Sequence, residues 1–203
     1  MRKVTCMCEA TFDADLPEEI DLDLSTGIWD EILAGKFLTV ECPTCGTLLK
    51  PELRVRLVSK KLGMDLVALP ELDRISLYRG AVELPKGATA LVGFPELFER
   101  ARIIVDGFDP DSIEIIKYWL IQKAVEQAPE AEIGASYAGL KQGKLSFHVS
   151  GLRDGEVAVL PIEPSTYERT LAGKAKSLRE APFDRMLSGP YKSVRSLETE
   201  PEE

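Results

Sequence analysis

The four cysteines of this chain constrain its fold more than any other sequence feature. They form two close pairs in the first quarter of the chain, Cys6 with Cys8 and Cys42 with Cys45, and 33 residues separate the pairs. Two such pairs brought together supply four thiolates, which is the complete tetrahedral ligand set of a structural zinc ion. We therefore predict one structural Zn²⁺ bound by Cys6, Cys8, Cys42 and Cys45.

The alternatives are four idle thiols or two disulfides. A disulfide between Cys6 and Cys8 would close a very small, strained ring, which argues against that pairing. A predicted strand precedes each pair, as in the knuckles of a zinc ribbon, although the first pair is one residue shorter than the usual Cys-x-x-Cys knuckle. Four cysteine ligands leave no coordination position open for water, so we expect the metal not to be catalytic.

The composition of the 203-residue chain, with 44% apolar and 29% charged residues, is typical of a soluble globular protein. No apolar stretch reaches the roughly 18 residues of a membrane-spanning helix, and no apolar segment follows Arg2 and Lys3 as in a secretory signal. We therefore expect a cytoplasmic protein without membrane contact. In the cytoplasm thiols stay reduced, so paired cysteines there indicate metal binding more than disulfides.

Hydrophobic periodicity and turn signals predict an α+β fold in two regions. Residues 1–69 are predicted to form an N-terminal zinc ribbon with a helical insertion over 28–34, followed by a β-hairpin over 53–69. Residues 70–188 are predicted to form a larger α+β domain, and residues 189–203 a polar, flexible tail. The elements predicted for the larger domain are two consecutive helices over 95–105 and 112–128, and an antiparallel meander over 131–140, 144–151 and 156–162.

Three helix starts carry capping signals. Ser25 or Thr26 is predicted to cap the inserted helix, and Asp109 followed by Pro110 is predicted to start the second of the consecutive helices. Ser165 with Glu168 matches a capping box for a helix to about residue 180.

These motifs resemble those of the CpXC family, a bacterial and archaeal family that is named for its cysteine motifs and whose function is uncharacterised. The resemblance covers roughly residues 4–125. The resemblance implies zinc binding but does not indicate any particular activity. The matching segments are the pair Cys6 and Cys8, Trp29 to Gly35, Phe37 to Gly46, Gly93 to Arg100, and Asp106 to Lys117.

Catalytic constellations have little support in this sequence. The single histidine, His148, is predicted on the polar side of a strand, opposite Leu145, Phe147 and Val149, so neither a Cys–His pair nor a Ser–His–Asp triad is indicated. A group of carboxylates along the two consecutive helices is compatible with an acid–base or hard-metal site, but helix capping and solvation explain it as well. These residues are Glu96, Glu99, Asp106, Asp109, Asp111 and Glu114.

The basic residues Lys50, Arg54, Arg56, Lys60 and Lys61 are the best argument for a nucleic-acid-binding ribbon. The net charge of −9 opposes broad contact with a phosphate backbone. We therefore expect a non-enzymatic zinc-binding protein that contacts an unidentified protein or a second copy of itself. The alternatives are a nucleic-acid-binding ribbon and an enzyme with a site between the two halves.

Overall fold

The computed structural model describes residues 1–199 and confirms an α+β fold, in which several sheets and helices follow one another along the chain. The chain divides into two compact units, residues 1–98 and the part that begins at Glu99. The division falls inside the helix Gly93–Val105.

Two cysteine hairpins and an inserted helix begin the first unit. Strand β1 (Arg2–Thr5) pairs antiparallel with β2 (Thr11–Ala14), and after β3 (Glu19–Asp21) comes the predicted helix α1 (Ile28–Leu33). Strands β4 (Val40–Glu41) and β5 (Leu48–Leu49) then form the second hairpin. The strand predicted before the second cysteine pair starts only at Val40, because Leu38 has a φ of 56°, which interrupts an extended strand.

A four-stranded sheet completes the first unit, in the order β3-β6-β7-β8. Strands β6 (Val55–Ser59) and β7 (Met64–Leu69) are antiparallel and confirm the predicted hairpin, whereas β3 runs parallel to β6. After a 3₁₀ turn and the short helix α2 (Arg74–Tyr78), β8 (Thr89–Val92) pairs parallel to β7. The structure thus divides the chain after Phe98 and not at the predicted boundary at residue 70. A boundary at residue 70 would separate β7 from β8, which are hydrogen-bonded to each other.

The second unit is organised around a buried helix. Helix α3 (Gly93–Val105) leads to α4 (Pro110–Val125), whose side chains are buried over most of the helix surface. The predicted meander follows as β9 (Gly134–Lys141), β10 (Lys144–Ser150) and β11 (Val157–Ile162), with β10 in the centre. The buried core between α4 and this sheet includes Ile103, Ile113, Ile116, Leu120, Leu145, Phe147 and Val149.

Of the three predicted caps, the one at Asp109 is confirmed. Its carboxylate accepts a hydrogen bond from the Ser112 backbone N–H at 2.8 Å, and Pro110 is the first residue of α4. The caps at Ser25 or Thr26 and at Ser165 are wrong. Gly27, with a φ of 92°, precedes α1. Glu163 precedes helix α5 (Pro164–Ser177), two residues before the predicted cap, because Pro164 already has the φ of a helix start.

The C-terminal segment packs against α4, which differs from the flexible tail predicted for it. Helix α6 (Phe183–Met186) and Val194 bury apolar side chains in one cluster with Ile115, and the Val194 N–H donates to Glu114 Oε2 at 2.9 Å. Residues 200–203 of the predicted tail lie outside the described residues. None of the helices in the described part of the chain is long and apolar enough to cross a membrane.

Candidate metal centre

Each cysteine pair is positioned by the backbone of its own hairpin turn. In the first turn, the Cys6 N–H donates to Ala10 O and the Glu9 N–H donates to Cys6 O, both at 2.9 Å. In the second turn, the Cys42 N–H donates to Thr47 O and the Gly46 N–H to Cys42 O, again at 2.9 Å. Gly46 has a φ of 70°, a conformation that glycine adopts without steric cost.

The structure brings all four predicted cysteines together. Their sulfur atoms lie within 4.8 Å of one another, with 3.6 Å between Cys6 and Cys45 and 3.7 Å between Cys8 and Cys42. A tetrahedral zinc site with Zn–S bonds of about 2.3 Å has sulfur atoms about 3.8 Å apart. A disulfide requires about 2.05 Å. The donor atoms and their spacing therefore fit a four-coordinate metal ion, and all four cysteines are free.

Hydrogen bonds to the sulfur atoms affect the cysteines unequally. The Thr47 hydroxyl lies 3.2 Å from Cys45 Sγ and lowers the pKa of Cys45 to about 6, with a further contribution from the Thr47 backbone N–H. The backbone N–H groups of Cys45 and Thr44 lower the pKa of Cys42. At Cys6 the Cys8 backbone N–H lowers the pKa, but burial and the neighbouring thiols raise it to about 12. Four thiolates this close repel one another, so full deprotonation of the cluster requires a cation.

The cysteines also differ in exposure. Cys6 and Cys42 are 4% and 1% exposed, whereas Cys8 and Cys45 are exposed to solvent. Each cross-hairpin sulfur pair therefore combines one buried and one exposed cysteine. The cluster lies at the surface of the first unit, with one cysteine of each hairpin buried in its interior.

The predicted carboxylate group does not converge on one point. Among the described residues, the four cysteines form the only cluster of three or more Cys, His, Asp or Glu side chains able to hold a metal ion. Glu96 pairs with Arg74 at 3.0 Å, and Asp106 accepts a hydrogen bond from the Tyr137 hydroxyl at 2.7 Å. Asp109 caps α4, and Asp111 lies 3.9 Å from Lys192.

The remaining two carboxylates hold a buried lysine. Lys117 Nζ lies 2.8 Å from Glu114 Oε1 and 3.0 Å from Glu99 Oε2. Glu99 also accepts the backbone N–H of Tyr137 on β9. Burial raises the pKa of Glu99, and for Lys117 the two carboxylates outweigh burial and raise its pKa above the usual range. These carboxylates are therefore occupied by structural contacts.

The predicted basic residues are dispersed among different partners. Arg56 binds both carboxylate oxygens of Asp65, at 2.9 and 2.7 Å, and Glu19 at 2.9 Å. Lys50 Nζ lies over the rings of Phe94 and Phe98, 4.5 and 4.8 Å from their centroids. Because Arg56 and Lys50 already make these contacts, less positive charge is available to bind a phosphate backbone than the sequence indicates.

His148 lies on β10, half-buried, and faces away from the fully buried Leu145, Phe147 and Val149, as predicted. Ser146, two positions before His148 on the same strand, is 2% exposed. Its hydroxyl has no hydrogen-bond partner among the described residues.

The sequence analysis assigned no role to three residues that contact the predicted site residues. They are Arg2, Thr47 and Lys117, which contact Arg54, Cys45 and Glu99 respectively. Thr47 lies two positions after Cys45, so proximity to a ligand was a usable signal. Arg2 and Lys117 act on groups distant in the chain, such as Arg54 O and Glu99, and no local pattern identifies those contacts.

The fold and the cluster define an α+β protein with a four-cysteine site that can hold a metal ion between two hairpins. The chain belongs to the CpXC family, because the family model described as CpXC protein matches residues 4–117. This result confirms the resemblance seen in the motifs.

One relative matches nearly the whole chain. It is an uncharacterized protein of Treponema pallidum (strain Nichols), 23% identical over 223 aligned residues, which cover 98% of this chain and 100% of that protein. No solved structure gives a significant match.

Proposed function

We propose that this protein binds one structural zinc ion through Cys6, Cys8, Cys42 and Cys45. The observation that carries the proposal is the spacing of the four sulfur atoms, which are within 4.8 Å of one another. Thiolate ligands favour zinc over magnesium, calcium or manganese, which prefer oxygen donors. When bound, the ion supplies a cross-link between the two hairpins.

The role proposed for the zinc-stabilised hairpins is contact with another protein or with a second copy of the chain. Four thiolates fill the tetrahedral shell and leave no position for a reacting water, which supports a non-enzymatic role. Met7, between the first two ligands, is 94% exposed, and Leu48, three residues after the last ligand, is 69% exposed. Large apolar side chains held at a surface are candidates for interface anchors.

One feature favours this proposal over a nucleic-acid-binding role, and a second bears on the cellular compartment. The charge of Arg56 is matched by Asp65 and Glu19, which weakens the argument for a nucleic-acid surface. Four free cysteines without a disulfide are compatible with a reducing compartment, and we propose the cytoplasm.

The metal is tested by elemental mass spectrometry of the purified protein, with a count of reactive thiols before and after chelation. We expect about one zinc per chain, with thiols that react only after chelation. Cys45→Ser should lose most of the zinc, whereas Thr44→Ser, an exposed change in the same turn, should retain it. A metal-free protein with four reactive thiols would disprove the proposal.

The interaction is tested by sedimentation velocity and by crosslinking in cell extract. We expect a dimer or a specific complex that the double variant Met7→Ser and Leu48→Ser abolishes while zinc content stays unchanged. The matched control is Leu72→Ser, because Leu72 is 92% exposed and lies outside both hairpins. A monomer without a specific partner, or equal loss in the control, would rule out this interface.

A further inference from the structure

A cleft in the first unit has a composition unlike the rest of this acidic chain. Its volume is about 430 Å³, which is in the range of small-molecule sites, roughly 300–1,000 Å³. The lining residues are Arg2, Glu18, Glu19, Arg54, Arg56 and Val67. Three of these six residues are arginines, although the net charge of the chain is −9. None of the cysteines lines this cleft.

The three arginines differ in how their charge is neutralised. Arg56 pairs with Asp65 and Glu19, so its positive charge has two direct carboxylate partners. Among the described residues, neither Arg2 nor Arg54 forms an ion pair with a carboxylate. Two positive charges at the cleft are therefore not matched by a direct carboxylate partner.

Arg2 and Arg54 are nevertheless held in place by neutral acceptors. One Arg2 nitrogen donates to Arg54 O at 2.8 Å and to Pro17 O at 3.3 Å, and Arg54 donates to Glu83 O at 2.6 Å. A guanidinium has five N–H donors, so each side chain keeps donors for a further acceptor. Because the backbone carbonyls anchor both side chains, part of the entropic cost of ordering an arginine on binding is avoided.

We propose that this cleft binds a small-molecule ligand through one anionic group, a carboxylate or a phosphate, held by Arg2 and Arg54. The planar donor fork of arginine matches both groups. Glu18 and Glu19 line the same cleft and repel a chain of phosphates, so the site favours a single anionic group over nucleic acid. This site is independent of the zinc proposal, since its residues are not metal ligands.

The test is a nuclear magnetic resonance titration of the metal-loaded full chain, observing the arginine Nε–H signals. Inorganic phosphate and succinate are added in separate titrations at constant ionic strength. We expect the Arg2 and Arg54 signals to shift and saturate with at least one of them. Arg54→Gln should weaken that binding about tenfold, the effect of losing one charge-assisted hydrogen bond.

The controls separate a site from general charge attraction. Lys61→Gln removes an exposed positive charge from a turn of the same unit and should leave the affinity unchanged. Arg54→Gln is the main variant, because Arg2→Gln also removes the contacts with Pro17 and Arg54 and can disturb folding. A response to phosphate alone assigns a phosphate ligand, and a response to succinate alone assigns a carboxylate ligand. No saturable shift, or equal weakening by Arg54→Gln and Lys61→Gln, would overturn the proposal.

Discussion

The two cysteine hairpins and the α4 core are stabilised by different means. The hairpin strands are only two to four residues long. Helix α4, by contrast, spans 16 residues and packs against a three-stranded sheet through a continuous apolar cluster. An isolated two-stranded hairpin is marginally stable in water, whereas a helix on a sheet of three strands can bury enough apolar surface. The comparison predicts that the first region depends on the proposed metal cross-link and that the second does not.

Each unit carries one tryptophan that can report on it. Trp29 lies on α1, inside the insertion between the hairpins, and Trp119 lies on α4. Trp29→Phe and Trp119→Phe therefore give two proteins in which fluorescence follows one unit at a time. The predictions below use this pair.

Removal of the metal should have the largest effect. In Cys42→Ser, or after chelation, we expect the hairpins to unfold, since structural zinc contributes roughly 10–16 kcal/mol in small finger peptides. The Trp29 signal should lose its cooperative transition, while the Trp119 signal should keep one. Hydrogen exchange of the two units checks the same result. If both signals collapsed together, the contrast between the two regions would be wrong.

Truncation of the second core should have the next largest effect. Phe147 is fully buried between α4 and the sheet. We expect Phe147→Ala to reduce the free energy of unfolding by about 4 kcal/mol, because it removes apolar contacts and leaves a cavity. Urea unfolding followed by Trp119 measures this loss. Val159→Ala, at a half-exposed position on β11, should cost less than about 1 kcal/mol.

The second unit also contains a buried polar contact. Lys117 on α4 forms ion pairs with Glu114 on the same helix and with Glu99 on α3. Lys117→Met leaves Glu99 and Glu114 buried without their cation, and we expect a loss of about 3 kcal/mol. Lys123→Met on the same helix is the matched control, because Lys123 is exposed. Urea unfolding at neutral pH distinguishes them. Equal stability of the two variants would show that the lysine is dispensable.

The cap of α4 should have a smaller effect. Asp109 accepts hydrogen bonds from the Ser112 N–H and hydroxyl, at 2.8 and 2.7 Å, and pairs with Lys174 at 2.8 Å. Asp109→Ala should cost about 1 kcal/mol, the typical effect of losing a cap. Asp109→Asn should recover most of it, because asparagine also caps helices. Thermal unfolding of the two variants is the measurement, and a loss in Asp109→Asn as large as in Asp109→Ala would refute the capping role.

The pH dependence of the same residue should be the smallest effect. Burial raises the pKa of Asp109, but Lys174 and Ser112 lower it more, so its folded pKa lies below the usual value. The stability it contributes is therefore complete above the unfolded pKa of about 3.9 and is lost as pH falls through the folded pKa. The stability difference between wild type and Asp109→Asn should shrink from about pH 5 to about pH 3. A difference that grew on acidification would contradict this sign.

The sequence was most informative where the signal is local. Short-range patterns predicted the hairpin over 53–69, the strand that contains His148 and the Asp109–Pro110 helix start. All three depend on neighbours a few positions apart. The parallel pairings were missed, because β3 meets β6 across more than 30 residues of chain and leaves no local pattern. The flexible tail was predicted from polar composition, although Tyr191 and Val194 are buried.

By itself, the sequence determined the α+β class, the four cysteines that cluster and the helix α4, because residue type, pair spacing and apolar periodicity are properties of short segments. Only the tertiary structure decided which charges meet. Glu114 binds a backbone N–H 80 residues away, and Arg2 reaches a carbonyl 52 residues away. Such contacts depend on how elements pack in space. In the described part of the chain they distinguish Arg56, which pairs with two carboxylates, from Arg2 and Arg54, which donate to backbone carbonyls.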